Sequence, residues 1–206
     1  MTIKEAKAEV ALFMKRTYDR GLTTATGGNI SMRFGEIMLI TPSGKDKGSL
    51  TADDIAEVDL ATGENLTPDK KLSIETGMHR SVYLKRGDVN AVVHSHPVFA
   101  CLFTASEEKI NTTLIAESYF LLDEVEKVPY RLMGTPELAE AVAEYAPDHN
   151  ALLLENHGAI AFGKTLIAAF DRLECLEQAA KLTYLSHAVP TRGINKEERD
   201  RIAQMR

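Results

Sequence analysis

The sequence has few cysteines, no long apolar run and no excess of positive charge. Its two cysteines, Cys101 and Cys175, form no CxxC pair, which favours buried thiols in a reducing compartment over a disulfide framework. No segment approaches the ~18 apolar residues that a membrane span requires. Acidic side chains outnumber basic ones by 30 to 24, giving a net charge of −6, and no Lys/Arg cluster forms a basic stripe. We therefore expect a cytoplasmic protein that binds neither nucleic acid nor a membrane.

The length and composition are those of an ordinary globular protein. The chain has 206 residues, of which 44% are hydrophobic and 26% are charged. A chain of this length buries roughly 70% of the surface that its unfolded form exposes. The N-terminal segment, MTIKEAKAEVALFMKRTYDRG, contains acidic residues and no long apolar core, so we expect no signal peptide. Residues 1–206 contain no linker and are predicted to form one domain.

Hydrophobic spacing and turn residues divide the chain into helices and strands. Helices are predicted over 3–19, 74–83, 114–122 and 166–184. The sequence Thr135-Pro136-Glu137 signals the start of a further helix, with Thr135 as its N-cap. Strands are predicted over 30–33, 36–41, 57–60, 90–93, 128–132, 151–154 and 159–162. Several of these strands are linked as hairpins, which favours a mixed or antiparallel sheet covered by helices.

The stretch AVVHSHP, residues 91–97, places two histidines at the end of a predicted buried strand. Side chains alternate across a strand, so His94 and His96 should project from the same face. Two imidazoles on one face form half of a possible metal site, because zinc requires three or four converging ligands. The alternative is that both are ordinary surface or hydrogen-bonded histidines, and this pair alone does not decide between the two.

Further candidate ligands occur in two other segments. His157 lies in the motif ENHG between two apolar runs, where a tight turn would hold its ring rigidly. Glu75 and His79 are four residues apart and can share one face of a helix. Glu75, His94, His96 and His157 therefore make one candidate set, a plausible zinc shell whose carboxylate can double as an acid/base, and His79 is a rival to Glu75.

Five motifs resemble those of a known family when they are taken in order. GGNIS, TPSG, SIE…H, HSH and ENHG occur at the approximate spacing seen in class II aldolases of the L-fuculose-1-phosphate aldolase type. The resemblance to this class II aldolase/adducin family runs from about residue 5 to residue 185. It implies an α/β fold of three αβα layers, in which a central mixed, largely antiparallel sheet is flanked by helices.

The resemblance also implies a metal site. In the family, the histidines that match His94, His96 and His157 bind a divalent metal, usually Zn²⁺, with Mn²⁺ or Co²⁺ as possible substitutes. The carboxylate that matches Glu75 is a ligand in the empty enzyme and becomes the acid/base. The residue that matches His79 is not a ligand in that family, so the resemblance argues against His79 as a metal ligand.

A phosphate-binding clasp is implied as well, in which backbone N–H groups and short hydroxyls hold the anion. The matching residues are Gly28, Asn29, Ser43, Gly44, Ser73 and Ile74. The family often has a second serine at the position of Ile74, so only the backbone can help at that position.

The second acid/base is where this sequence departs from the family. The catalytic tyrosine of the aldolases would fall at Ile115, and the nearest acid/base groups are Glu117 and Tyr119. Some dehydratase relatives use a glutamate in this region. The position of Glu75 is typically Asp in the related 4-epimerases, so the glutamate argues against epimerisation.

The resemblance leads to one expected activity and two alternatives. We expect a zinc-dependent lyase that cleaves a ketose 1-phosphate, such as L-fuculose 1-phosphate or a 5-deoxy sugar phosphate, into dihydroxyacetone phosphate and an aldehyde. The alternatives are a dehydratase of the methylthioribulose-1-phosphate type and a non-catalytic, adducin-like module. The family further implies a homotetramer with sites at the subunit interfaces.

Overall fold

The structure, a computed structural model, describes residues 1–206 and contains one seven-stranded sheet and seven α-helices. The strands are β1 Asn29–Phe34, β2 Ile37–Ile40, β3 Ala56–Asp59, β4 Ala91–Ser95, β5 Glu126–Val128, β6 Ala151–Leu154 and β7 Gly158–Gly163. The helices are α1 Ile3–Asp19, α2 Thr76–Lys85, α3 Val98–Thr104, α4 Ala116–Leu122, α5 Pro136–Tyr145, α6 Leu166–Ser186 and α7 Lys196–Ala203. None of these helices combines the length and apolar character needed to cross a membrane.

The sheet is mixed and largely antiparallel, as predicted. Its strand order is β3-β2-β1-β4-β7-β6-β5, and only the edge pair β5–β6 is parallel. Strand β4 lies at the centre, between β1 and β7, and it carries the first histidine of the HSH motif. The ends of three strands, β1, β4 and β7, therefore meet where that motif begins.

Helices cover both faces of the sheet, which confirms the three-layer αβα arrangement. One apolar core contains Val10 of α1 and Phe170 of α6, packed against inward-facing strand residues such as Val93. The other core contains Met78 of α2 and Val142 of α5. Because side chains alternate along a strand, Val92 faces this second core while its neighbour Val93 faces the first. The central strands are thus buried on both faces and held rigidly.

Several helix ends follow directly from the sequence. The Thr135 side chain accepts a hydrogen bond from the Leu138 N–H, which confirms the predicted N-cap of α5. Thr2 and Glu5 form a complete capping box at the start of α1. This helix ends at Asp19, and Gly21 directly after the Arg20 cap has a φ of +68°, the left-handed conformation that glycine adopts most readily.

The main differences from the predicted elements have identifiable causes. The strand predicted over 128–132 is instead β5, Glu126–Val128, because Pro129 has no N–H to continue the ladder with β6. Helix α2 begins at Thr76 rather than at residue 74. Two helices were not predicted. Helix α3 has only seven residues and so carries little periodic signal, and α7 has no buried residue.

Candidate metal centre

Three histidine rings converge at the ends of the central strands. His94 is the fourth residue of β4, His96 follows that strand, and His157 lies in the turn between β6 and β7. The ring centroid of His94 lies 4.9 Å from that of His96 and 4.9 Å from that of His157. One ring nitrogen from each histidine lies within 4.8 Å of the other two. The alternation predicted for His94 and His96 therefore brings both rings to the same place.

The β6–β7 turn delivers His157 through an unusual backbone. Asn156 has a φ of +51°, and the His157 N–H donates to the Leu154 carbonyl over 3.0 Å. The next residue, Gly158, packs against the end of β4. A Cβ atom at this glycine would lie 2.7 Å from Cδ2 of His96 and 2.7 Å from the Ser95 carbonyl oxygen. Only glycine allows this close approach without moving a histidine.

The Glu75 carboxylate completes the cluster from the start of α2. It is 5% exposed, and its oxygens lie 3.2 Å from Nε2 of His94 and 3.0 Å from Nε2 of His157. The Asn29 side-chain amide donates to it over 2.8 Å. Burial on its own raises the pKa of Glu75, but the neighbouring His94 and the close contacts from His157, His94 and Asn29 outweigh burial and hold that pKa well below its usual value.

The donor set fits a divalent metal. Nδ1 of His94 donates to the Ala159 carbonyl over 2.9 Å, so the lone pair of Nε2 faces the cluster. This Nε2 and one Glu75 oxygen are buried and make no well-aligned hydrogen bond, a cost that a bound cation would remove. Burial, together with the neighbouring His94 and His157, lowers the pKa of His96 to about 4 and keeps its imidazole neutral, as metal binding requires. Three nitrogens and a carboxylate oxygen suit zinc.

His79, the rival ligand, lies outside this cluster. It is fully buried in α2, where Nδ1 lies 2.7 Å from Oγ of Ser31 and Nε2 lies 2.6 Å from Oδ1 of Asn29. Burial, with a smaller effect of the neighbouring His94, lowers its pKa to about 3, so the ring is neutral at neutral pH. Both ring nitrogens are occupied by hydrogen bonds, which leaves no free lone pair for a metal.

Three of the predicted clasp residues, Gly28, Asn29 and Ser73, lie directly beside the cluster. Nδ2 of Asn29 donates to Oγ of Ser73 over 2.9 Å as well as to Glu75, and Asn29 pairs with His94 across the β1–β4 ladder. Gly28 has a φ of +65°, and a Cβ there would lie 2.7 Å from the His94 carbonyl oxygen. The loop before β1 therefore packs against the strand that carries the histidines.

The clasp offers a limited set of donors. Oγ of Ser73 accepts from Asn29 and from the Glu75 N–H, so its own hydrogen is free to donate to an anion. The backbone N–H groups of Gly44 and Ile74 donate to no group of the chain. The Ser43 N–H, in contrast, donates to the Lys71 carbonyl, so Ser43 can offer only its hydroxyl.

Lys47 is a buried cation beneath this loop that the sequence analysis missed. It is 1% exposed, its Nζ donates to the Pro42 carbonyl over 2.6 Å, and its N–H donates to the Ala25 carbonyl. Burial lowers its pKa to about 8. In the segment SGKDKG it looks no different from Lys45, which is exposed and pairs with Asp54, so the sequence carried no usable signal.

The two candidates for the second acid/base are not brought to the histidines within one chain. Glu117 is exposed on α4 and lines a cleft with Arg20 and Cys175. The ring of Tyr119 lies below the Arg206 guanidinium, 5.0 Å from its central carbon. Their catalytic role stays a prediction.

Comparison with known proteins agrees with this geometry. The family model described as Class II Aldolase and Adducin N-terminal domain matches residues 8–184. An L-fuculose phosphate aldolase of Methanocaldococcus jannaschii is 35% identical over 87% of this chain and 96% of its own length. A 5-deoxy-D-ribulose 1-phosphate aldolase of Bacillus thuringiensis serovar kurstaki is 33% identical over 92% and 89%. A 3-oxo-tetronate 4-phosphate decarboxylase of Pectobacterium atrosepticum is 32% identical over 88% and 85%.

A solved structure shares both the fold and the sequence. The L-fuculose-1-phosphate aldolase of Thermus thermophilus superposes with a TM-score of 0.79 at 32% identity. The match covers 89% of this chain and 95% of the other. The chain is therefore similar along nearly its whole length to proteins whose names differ in sugar and in reaction.

We predict that Gly158→Ala disrupts the histidine cluster. The new methyl group meets His96 and the Ser95 backbone, and overpacking of this kind costs about 1–3 kcal/mol. Thermal unfolding should show this loss, and the bound divalent metal per chain should fall. Gly87→Ala is the matched control, because a Cβ at Gly87 meets nothing within 4 Å. Unchanged metal content in Gly158→Ala would contradict the close packing described above.

We predict that Lys47 makes stability depend on pH in the alkaline range. Its pKa falls from 10.5 to about 8 on folding, so between these values the unfolded chain binds the proton that the folded chain has lost. The free energy of unfolding should therefore rise with pH across this window, by an amount on the order of 3 kcal/mol. The free energy of unfolding, measured by urea at each pH, should lack this rise in Lys47→Met and keep it in the control Lys45→Met. The same pH dependence in wild type and both variants would refute the assignment to Lys47.

Proposed function

The chain belongs to the class II aldolase and adducin family, and we propose that it is a metal-dependent lyase that cleaves a ketose 1-phosphate into dihydroxyacetone phosphate and an aldehyde. One observation carries the proposal. The side-chain amide of Asn29 donates both to Glu75 of the candidate metal centre and to Ser73 of the candidate clasp. A phosphorylated substrate held by the clasp would therefore present its neighbouring oxygens to the histidines.

We propose His94, His96, His157 and Glu75 as the metal ligands and Zn²⁺ as the metal, with Mn²⁺ or Co²⁺ able to replace it. A bound divalent cation would supply Lewis acidity toward the carbonyl and hydroxyl oxygens of the substrate. The protein's part is to keep the imidazoles neutral and oriented. The hydrogen bond from Nδ1 of His94 to the Ala159 carbonyl supports this assignment.

The phosphate group would bind to the clasp, which is formed by Gly28, Asn29, Ser43, Gly44, Ser73 and Ile74. Ser73 donates its free hydroxyl hydrogen, Ser43 its hydroxyl, and Gly44 and Ile74 their backbone N–H groups. Gly28 and Asn29 would line the bottom of the phosphate site. The buried Lys47 adds positive potential beneath the loop, which helps a protein of net negative charge to hold an anion.

Two proton transfers complete the reaction. Once substrate is bound, Glu75 would take up a proton from solvent and give it to C3 of the enediolate that remains after the C3–C4 bond breaks, which yields dihydroxyacetone phosphate; the proton removed from the C4 hydroxyl would return to solvent. A second group takes the proton of the C4 hydroxyl, and Glu117 and Tyr119 are the candidates. Since neither lies beside the histidines of its own chain, we propose a homotetramer in which a neighbouring subunit supplies this group.

The aldehyde end of the substrate is proposed to be apolar. Ile74 is 57% exposed and Ile115 is 44% exposed, so both present large apolar side chains at the surface. L-Fuculose 1-phosphate and 5-deoxy sugar phosphates both end in a methyl group, which such side chains accommodate better than a hydroxyl. The names of the two aldolase relatives support this substrate class.

Decarboxylation of an oxo-acid phosphate is the second candidate reaction, because one relative carries that name. The same metal site and the same proton donor would serve it. None of these relatives is named as a dehydratase, so the methylthioribulose-type reaction ranks below both. The complete ligand set disfavours a non-catalytic, adducin-like module. We also propose a single domain acting in the cytoplasm, in line with the one continuous sheet and the two free cysteines.

Cleavage of a panel of ketose 1-phosphates tests the proposed reaction. The metal-loaded protein should release dihydroxyacetone phosphate, detected by a coupled dehydrogenase, from at least one sugar with a terminal methyl group. An oxo-tetronate phosphate tested in parallel separates the second candidate, since it would yield carbon dioxide. Release of no dihydroxyacetone phosphate from any sugar of the panel would refute the aldolase proposal.

We predict that the three histidines determine metal content. Elemental analysis should find about one divalent ion per chain, and His94→Ala, His96→Ala and His157→Ala should each lose most of it together with the activity. Loss of one imidazole leaves too few ligands for tight binding. His149→Ala is the control, because this histidine hydrogen-bonds to the Tyr145 carbonyl, outside the cluster. Full metal content in His157→Ala would show that the ligand assignment is wrong.

Glu75→Gln should separate metal binding from turnover. Three imidazoles remain, so most of the metal should persist. The amide cannot deliver a proton, and kcat should fall by roughly 10²–10⁴-fold, the usual effect of a lost acid/base. The measurement is kcat per metal-loaded chain. A variant that keeps wild-type turnover would exclude Glu75 as the proton donor.

A further inference from the structure

A line of buried polar side chains joins α2 to β1 behind the metal centre. Glu75, His79 and Tyr83 are spaced four residues apart and lie on one face at and beyond the start of α2. Asn29 and Ser31 are two residues apart in β1, so both side chains lie on the face of that strand that is turned toward α2. All five residues are buried, and we call them the polar seam.

The seam is continuous from Tyr83 to Glu75. Oη of Tyr83 lies 2.8 Å from Oγ of Ser31, which lies 2.7 Å from Nδ1 of His79. Nε2 of His79 lies 2.6 Å from Oδ1 of Asn29, and Nδ2 of Asn29 lies 2.8 Å from the Glu75 carboxylate. Every distance is that of a normal hydrogen bond.

The carboxylate end sets the direction of every bond. An ionised Glu75 can only accept, so Asn29 must turn its NH₂ group toward it and its carbonyl toward His79. Nε2 of His79 must then carry the hydrogen, and Nδ1 must accept from the Ser31 hydroxyl. Because Ser31 has one hydrogen, Tyr83 must donate to Ser31. One neutral tautomer of His79 satisfies the whole seam.

We propose that His79 is a positioning residue for the reaction, holding Asn29 in the one orientation that binds Glu75 and Ser73 together. The other tautomer would favour rotation of the Asn29 amide and turn its carbonyl oxygen against the carboxylate. His79 thereby fixes the position of the Glu75 carboxylate relative to the Ser73 hydroxyl. The catalytic consequence rests on the proposed function, whereas the direction of the hydrogen bonds does not.

A neutron crystal structure of the perdeuterated, metal-loaded protein tests the direction without any assay. We expect one deuteron on His79, at Nε2, and the ND₂ group of Asn29 facing Glu75. A deuteron at Nδ1, deuterons at both nitrogens, or the Asn29 oxygen facing Glu75 would each overturn the proposal.

A pair of variants tests the effect on catalysis. His79→Leu removes both hydrogen bonds, whereas His79→Gln keeps an N–H donor for Asn29 and an oxygen acceptor for Ser31. His79→Leu should lower kcat by about 10–100-fold at unchanged metal content, the range typical of lost outer hydrogen bonds, and His79→Gln should recover most of it. His149→Leu is the matched control, since this half-buried histidine bonds to the Tyr145 carbonyl outside the seam.

The outcomes distinguish this proposal from the proposed function. Equal kcat per metal-loaded chain in His79→Leu and wild type would overturn the positioning role. Equal losses of kcat in His79→Leu and His79→Gln would overturn it as well, since only overall packing would then matter. A protein that releases no dihydroxyacetone phosphate refutes the proposed function, and the neutron structure then decides the seam on its own.

Discussion

The side-chain amide of Asn29 is the interaction on which the rest of the site depends. It is one group with two hydrogens, and it gives one to Glu75 at the histidine cluster and one to Ser73 at the clasp. Its position follows from the β1–β4 ladder, where Asn29 lies opposite His94. Buried amides are costly unless every hydrogen bond is made, so this arrangement has few alternatives. The two halves of the site are thereby fixed relative to each other.

The distribution of satisfied and unsatisfied groups locates the function within the fold. The sheet is packed on both faces by apolar cores, and the members of the polar seam from Tyr83 to Asn29 make hydrogen bonds to one another. At the cluster itself, Nε2 of His94 and an oxygen of Glu75 remain buried without a well-aligned partner. Native proteins rarely leave such groups unpaired, and these unpaired atoms, together with the three imidazoles, fit a bound divalent cation.

Much of this could be predicted from the sequence where a local rule decided the outcome. Strand alternation placed His94 and His96 together, and the Thr135 cap started α5. The hairpin links between strands predicted the mixed or antiparallel sheet, and the family resemblance agreed with it. What could not be predicted depended on tertiary contacts: the edge strand β5 begins at Glu126 because it pairs with Leu152 of β6, and Lys47 is buried although Lys45 is exposed. The spacing of Glu75 and His79 was visible, but only the facing strand shows that His79 bonds to Asn29 and Ser31 rather than to a metal.

The central claim is that one divalent metal binds where the three histidine rings meet. Anomalous diffraction at the zinc absorption edge, from crystals of the zinc-loaded protein, tests this claim most directly. We expect a single strong peak bounded by His94, His96 and His157, on the side that faces Glu75. A peak elsewhere in the chain, or none above background in fully loaded crystals, would contradict it.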